Sequence, residues 1–338
     1  MSAVIVAARR TPIGTAGRAL AGLRVEELAA PVLRALVAEL ASRPGLRGLA
    51  VDDVVLGNCM GPGGNPARVS ALAARLGVSV TGLTVDRQCG SGLAAITVGA
   101  AAVEAGRASL VLAGGVESAS TAPVRTWRDS GEVYERAPFA PEPYADPEMG
   151  EAADALARSA GISRARQDDY SARSHARAVA AYDDKRFAPE LVPVGGLDRD
   201  ERVRAGLSVE RLARLRPAFV PDGTVTAGNS CGISDGAAAV ALVPDELRAG
   251  MPGLRIVDWE CAGCDPALPG LGPVPAIRNL LARQGCSVAD LAAVELVEAF
   301  AAQVLACADA LDLDPARICA DGGALALGHP WGASGAVA

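Results

Sequence analysis

Apolar residues along this chain recur in two rhythms. Short apolar runs of strand length occur at Asp53–Leu56, Leu83–Val85, Ser109–Ala113 and Ala293–Val297, with a shorter one near Ile318. They alternate with longer stretches of helical spacing at Leu93–Ala105, Pro275–Gln284 and Phe300–Leu311. Alternation of this kind predicts helices packed on sheets, a layered α/β architecture. The order repeats weakly. From about Val25 to Gly115 the chain reads helix, strand, helix, strand, polar turn, helix, strand. From about Pro275 it reads helix, strand, helix, short strand, polar turn. Between the two lies roughly Ser120–Pro221, where charge runs gather and Arg164–Asp184 has helical spacing with a charged face. That segment reads as an insertion facing solvent.

Composition narrows the function. Half of the 338 residues are apolar but only 3% are aromatic, so the core is built from Ala, Val and Leu. The length exceeds one ordinary core and suggests two subdomains or one large layered unit. Net charge is −7 without an extended basic run, which argues against a nucleic-acid partner. No apolar stretch is long enough for a membrane span, and the chain opens directly in a strand. The expected location is the cytoplasm, and eight cysteines suit a reducing compartment. Cys261-Ala-Gly-Cys264 has neither a second such pair nor a nearby histidine. It is expected to be two small thiols in a buried strand rather than a metal site, and no metal is expected elsewhere.

Two turns carry the chemistry. Val85–Ile96 reads Val-Asp-Arg-Gln-Cys-Gly-Ser-Gly-Leu-Ala-Ala-Ile, which puts Cys89 between a strand and a helix. The positive end of the helix is expected to favour the thiolate, and Gly90 and Gly92 leave room for a carbonyl beside backbone donors. Asp321–Ala336 reads Asp-Gly-Gly-Ala-Leu-Ala-Leu-Gly-His-Pro-Trp-Gly-Ala-Ser-Gly-Ala. His329 is one of only two histidines, and Gly328, Pro330 and Gly332 around it suit close backbone approach to a ligand. A thiol with a distant imidazole is the minimal pair for acyl transfer through a thioester.

These turns, with several others in order, give the chain its resemblance. They are Val4–Gly14 (Val-Ile-Val-Ala-Ala-Arg-Arg-Thr-Pro-Ile-Gly), Gly57-Asn58, Asn65-Pro66-Ala67-Arg68 and Leu112–Ser118. Further along come Leu215–Phe219 (Leu-Arg-Pro-Ala-Phe), Gly223–Asn229 and Glu298–Gln303. The chain resembles the thiolases of the acetyl-CoA acetyltransferase type almost end to end. The resemblance implies two similar halves, each with a mixed five-stranded sheet, stacked as α-β-α-β-α. Residues 1–119 and 222–250 would form the half carrying the nucleophile, 120–221 a loop domain over the coenzyme A site, and 251–338 the second half.

By the same resemblance Cys89 takes an acyl group from an acyl-CoA while His329 removes its proton. A second acetyl-CoA then attacks in a Claisen condensation, or the reverse thiolysis runs. Met149, Arg216, Phe219, Ala227, Cys231 and Phe300 would touch substrate, with Gly90 at an oxyanion site. No cofactor is implied beyond the coenzyme A thioester substrates, and a homodimer or homotetramer is. A local basic patch for the nucleotide could come from Arg202, Arg204, Arg211, Arg214 and Arg216.

The chain departs from the family at four places. The family's Asn-Glu-Ala-Phe reads Val297-Glu298-Ala299-Phe300. That Asn belongs to an oxyanion site, and losing such a donor typically costs about 3–4 kcal/mol of transition-state stabilisation. Glu148 stands where biosynthetic members often have His, and Cys231 replaces a Ser. The chain stops at Ala338, before the family's second catalytic cysteine, and is expected to be incomplete there. The alternatives are therefore a thiolase-like protein without Claisen activity, either an acyl-CoA binding protein or an acyltransferase to another acceptor.

Overall fold

The structure is a computed structural model that describes residues 2–248 and 250–338. In chain order its strands are β1 (Ala3–Arg10), β2 (Gly14–Thr15), β3 (Asp53–Gly57), β4 (Thr81–Val85), β5 (Val111–Ser118), β6 (Arg125–Thr126), β7 (Val133–Tyr134), β8 (Ser234–Pro244) and β9 (Leu254–Arg255). The helices are α1 (Val25–Ser42), α2 (Pro66–Ala73), α3 (Ser91–Glu104), α4 (Met149–Ser159), α5 (Arg164–Asp183), α6 (Val209–Leu212), α7 (Pro273–Gln284), α8 (Ala301–Leu311), α9 (Ala324–Leu327) and α10 (Trp331–Val337).

The main sheet runs β4-β3-β5-β8-β1-β9, with β2 on β8. β3 pairs in parallel with β4 and β5. β8 pairs antiparallel with β5 on one side and β1 on the other. The five long strands make the mixed sheet expected of the first half. β5 and β8 are buried along their whole length and lack the alternation of a one-sided sheet, as strands covered on both faces do. One face carries α1 through Leu28, Leu33, Leu36 and Leu40 and α2 through Ala67 and Ala71. The other carries α3 through Ala95, Ile96, Ala100 and Val103.

Local chemistry sets the helix starts. Asn65, in the left-handed region, accepts from Arg68 N–H ahead of Pro66, and Ser163 caps α5 by accepting from Arg166 N–H. A separate core joins α4, α5 and α8 around Ala157, Tyr170, Val304, Leu305 and Ile318. Among the described residues no helix is long and apolar enough to cross a membrane.

The second half differs from expectation in its strands. Its helices stand where the spacing predicts, α7 at Pro273–Gln284 and α8 at Ala301–Leu311. Its strand segments, however, form single bridges, Val294 with Ile318, Ser230 with Phe300 and Ile233 with His329, instead of a second five-stranded sheet. The physical reason is pairing. The first sheet is held by the long β5–β8 ladder, whereas neither Val294 nor Ile318 has a ladder partner on its other side among the described residues. Cys261 and Cys264 are exposed and lie outside any strand, not in a buried one.

Candidate active site

Three glycines bring the two turns together. A Cβ on Gly115 at the middle of β5 would fall 1.9 Å from Gly332 O, and one on Gly57 would fall 2.5 Å from both Gly332 O and Ser91 C. A Cβ on Gly332 would meet the Asn58 backbone at 2.7 Å. Only without side chains can the ends of β3 and β5 and the starts of α3 and α10 converge this closely. Cys89 reaches this point through Gln88, which takes a left-handed backbone (φ 49°).

The convergence places His329 Nε2 3.1 Å from Cys89 Sγ. His329 is buried, and its Nδ1 lies 2.7 Å from Ser334 Oγ, one turn into α10. A thiol donating to Nε2 requires the proton on Nδ1, where Ser334 accepts it, so the network assigns the tautomer. The His329 backbone N–H donates to Gly232 O at 3.0 Å and to Ser234 Oγ at 3.1 Å. The ring is fixed from both sides.

The electrostatics correct one expectation. Burial pushes the Cys89 thiol up to about 11, its own N–H opposes that, and Glu117 and Asp86 add to it. Burial lowers His329 to about 4. Burial is the largest influence on both groups and opposes charge on each, so the resting pair is neutral thiol and neutral imidazole, not a thiolate. Gly90 also differs. Its N–H donates to Arg87 O at 3.0 Å inside the turn, which leaves the Cys89 amide as the backbone donor facing the sulfur.

Two carboxylates at the site escaped the sequence reading. Glu117, fully buried, accepts from Asn58 Nδ2, Cys59 N–H, Met60 N–H and Gly332 N–H at 3.0–3.1 Å. It ties the end of β5 to the loop after β3 and to the start of α10. Glu298 accepts from Tyr170 Oη, Ser174 Oγ and Leu325 N–H, joining α5 to α9. Burial raises the pKa of both. Each lies in a quoted motif, and an acid inside an otherwise apolar or glycine-rich stretch was the available signal.

The substrate-binding candidates fall into groups. Phe219 packs edge-on to Phe300 with ring centroids 6.0 Å apart. The Phe219 ring covers Gly150, where a Cβ would sit against it, and half-buried Met149 precedes Gly150 at the start of α4. Cys231 N–H donates to Ala299 O and Ala301 N–H to Asn229 O, which zips the Ala227–Cys231 turn to the Phe300 segment. Ala227 and Arg216 are exposed. Val297 is half-buried and lines a cavity of about 40 Å³ with Gly328 and Ser334, offering no side-chain hydrogen bond where the family has Asn.

A thiol–imidazole pair on a glycine-built convergence of two α/β turns defines an acyltransferase working through a thioester. Residues 3–246 match the thiolase N-terminal domain and 251–338 the thiolase C-terminal domain, so the chain belongs to the thiolase family and is an enzyme of thiolase type. It is 42% identical to the acetyl-CoA acetyltransferase of Pseudomonas aeruginosa over 98% of this chain and 89% of that protein. It is 42% identical to YhfS of Bacillus subtilis over 100% and 90% respectively. The crystal structure of the Bacillus anthracis acetyl-CoA acetyltransferase superposes with a TM-score of 0.89 at 38% identity, covering 99% of this chain and 90% of that one. The fold is that of the thiolases.

Proposed function

We propose that the chain transfers acyl groups between coenzyme A thioesters in the manner of an acetyl-CoA acetyltransferase, with Cys89 as nucleophile and His329 as base. The observation that carries this reading is the 3.1 Å contact between Cys89 Sγ and His329 Nε2. With the thiol near 11 and the imidazole near 4, preforming the ion pair is strongly uphill. Proton transfer to Nε2 therefore accompanies attack of sulfur on the acyl carbon. The C–S bond to coenzyme A breaks, and the departing thiolate takes the proton from Nε2. The Cys89 amide donates to the developing oxyanion.

In this reading residues 120–221 form the loop domain between the halves 1–119 with 222–250 and 251–338. Met149, Phe219 and Phe300 wall the acyl and pantetheine end, Ala227 and Cys231 line the turn beside it, and Arg216 reaches the phosphates. Acetyl-CoA and longer acyl-CoAs are the proposed substrates. Incubation with acetyl-CoA followed by intact-protein mass measurement tests the nucleophile. An acetyl adduct on the wild type, absent from Cys89→Ala, is the expected result, and no adduct on the wild type overturns the reading.

The apolar Val297 favours a second reading, an acyltransferase that completes only the first half-reaction and delivers the acyl group elsewhere. Intact Cys89 acylation beside an absent condensation product would single it out. We also propose a homodimer through the edge of β4. Leu72, Val78, Leu83 and Leu93 are exposed there on neighbouring elements, an apolar patch beside an unpaired strand edge. Sedimentation of the wild type as a dimer and of Leu83→Asp as a monomer is expected; a monomeric wild type at micromolar concentration removes the proposal.

A further inference from the structure

Arg202 is a cation without a counter-charge. Its guanidinium makes no hydrogen bond or ion pair among the described residues, and its Nε is buried with no partner. The nearest acidic residues in the chain are engaged elsewhere. Asp200 holds Arg10 and Tyr182, and Glu201 accepts from Thr15 N–H. Burial pushes its pKa down, opposed by the Cys231 thiol, which burial itself keeps protonated, and aided by Arg204 and Arg18 of like sign. His175, close by, is held neutral by burial and by Arg202 and Arg204, its pKa lowered to about 4. A half-buried cation whose Nε is buried without a partner is costly, and an incoming anion offsets part of that cost.

The guanidinium lies against the backbone that holds the base. It packs on Gly232, against the space a Cβ at that position would take. Gly232 O accepts the His329 N–H at 3.0 Å, and His329 Nε2 touches Cys89 Sγ. Gly232 also follows Cys231 in the turn beside the substrate. The cation is thus one backbone residue away from the base. The phosphates of coenzyme A sit a full pantetheine arm from the thioester, on the far side of the reacting carbon from the acyl tail. Closeness to the residue that holds the base therefore sets Arg202 apart from the nucleotide patch and makes an anion carried by the acyl group its natural partner.

We propose that Arg202 recognises a terminal carboxylate on the acyl chain, so that the substrates are thioesters of short dicarboxylic acids in preference to neutral acyl-CoAs of similar length. This rests on the reading that Cys89 is acylated from acyl-CoA. In the step concerned Cys89 Sγ bonds to the acyl carbon, the bond to the coenzyme A sulfur breaks, and the thiol proton passes through His329 to the departing thiolate.

Single-turnover release of coenzyme A from succinyl-CoA and butyryl-CoA tests the inference, in the wild type, Arg202→Met and Arg202→Lys, each checked for folding by its thermal melt. The expected wild-type preference for succinyl-CoA is about tenfold or more, the worth of a buried charge-assisted hydrogen bond. It should vanish in Arg202→Met and return in part in Arg202→Lys. A purely structural role would slow both thioesters alike and leave their ratio unchanged, which overturns the inference, as does a wild type with no preference. Acetyl-CoA on the wild type separates the two levels. Acylation by acetyl-CoA without succinyl preference removes only the role of Arg202, while no acylation by any thioester removes the parent reading as well.

Discussion

The Cys89 turn and the His329 turn are built alike and used differently. Each leads into a helix through a glycine-dense run, the first from strand β4 and the second from the short helix α9, and both end at the same crowded point beside Gly57, Gly115 and Gly332. Around the cysteine the chain is open: Asp86, Arg87, Gln88 and Gly90 are exposed, and Cys89 is only partly buried. Around the histidine it is closed, with Leu325–Pro330 buried and the His329 N–H and both ring nitrogens hydrogen-bonded. A nucleophile must admit a substrate, whereas a base must be held at one distance and one tautomer. The first demand leaves a turn at the surface, and the second drives one into the core.

Removing the closed partner should have the largest effect. His329→Ala is expected to slow acylation of Cys89 by about 10²–10⁴, the usual worth of a positioned general base, read as single-turnover release of coenzyme A. A loss of less than tenfold would mean that the thiol does not depend on this imidazole. Acid probes the same burial through stability. Both histidines are held neutral with pKa lowered to about 4, against 6.5 unfolded, so the unfolded chain binds more protons between those values. Their stabilising contribution is present above pH 6.5 and lost as pH falls toward 4, by up to about 3 kcal/mol each. Denaturant titrations at pH 7 and pH 4.5 should show most of that difference, and His175→Gln should reduce it. Unchanged stability across this window would show that the histidines are not buried neutral.

The smallest effect should come from Glu117, the carboxylate that ties the His329 turn to the loop after β3. Glu117→Gln keeps the shape but replaces one accepting oxygen with a donor facing backbone N–H groups, at a cost of about 1–3 kcal/mol. Because Glu117 holds both Cys59 and Gly332, acylation should slow together with the loss of stability. Lost stability with an unchanged acylation rate would mean that Glu117 supports the fold without aligning the pair.

Much of this was legible along the chain. Apolar rhythm gave the strands at Asp53–Gly57 and Thr81–Val85 and the helices at Ser91–Glu104, Pro273–Gln284 and Ala301–Leu311 to within a few residues. Cys89 and His329 stood out because each is a reactive residue in a turn too rich in glycine to be filling a core. Glu117 and Glu298 did not, since an isolated acid in a strand or before a helix says nothing about how many N–H groups will surround it. The second-half strands misled for a related reason. An apolar run shows that a segment will be extended, but a sheet also requires a partner, and Val294 and Ile318 find only each other. The thiolate expectation failed because a helix terminus is visible in sequence while desolvation is not.

What the sequence determined by itself was the set of local elements, the two reactive turns and the family, all of which depend on residues near one another in the chain. What the tertiary structure alone decided was the 3.1 Å approach of residues 240 positions apart, the neutral state of both partners and the unpaired charge of Arg202 against Gly232. Distance, burial and the presence or absence of a counter-charge are properties of packing. Packing brings together groups whose separation along the chain carries no record of their meeting.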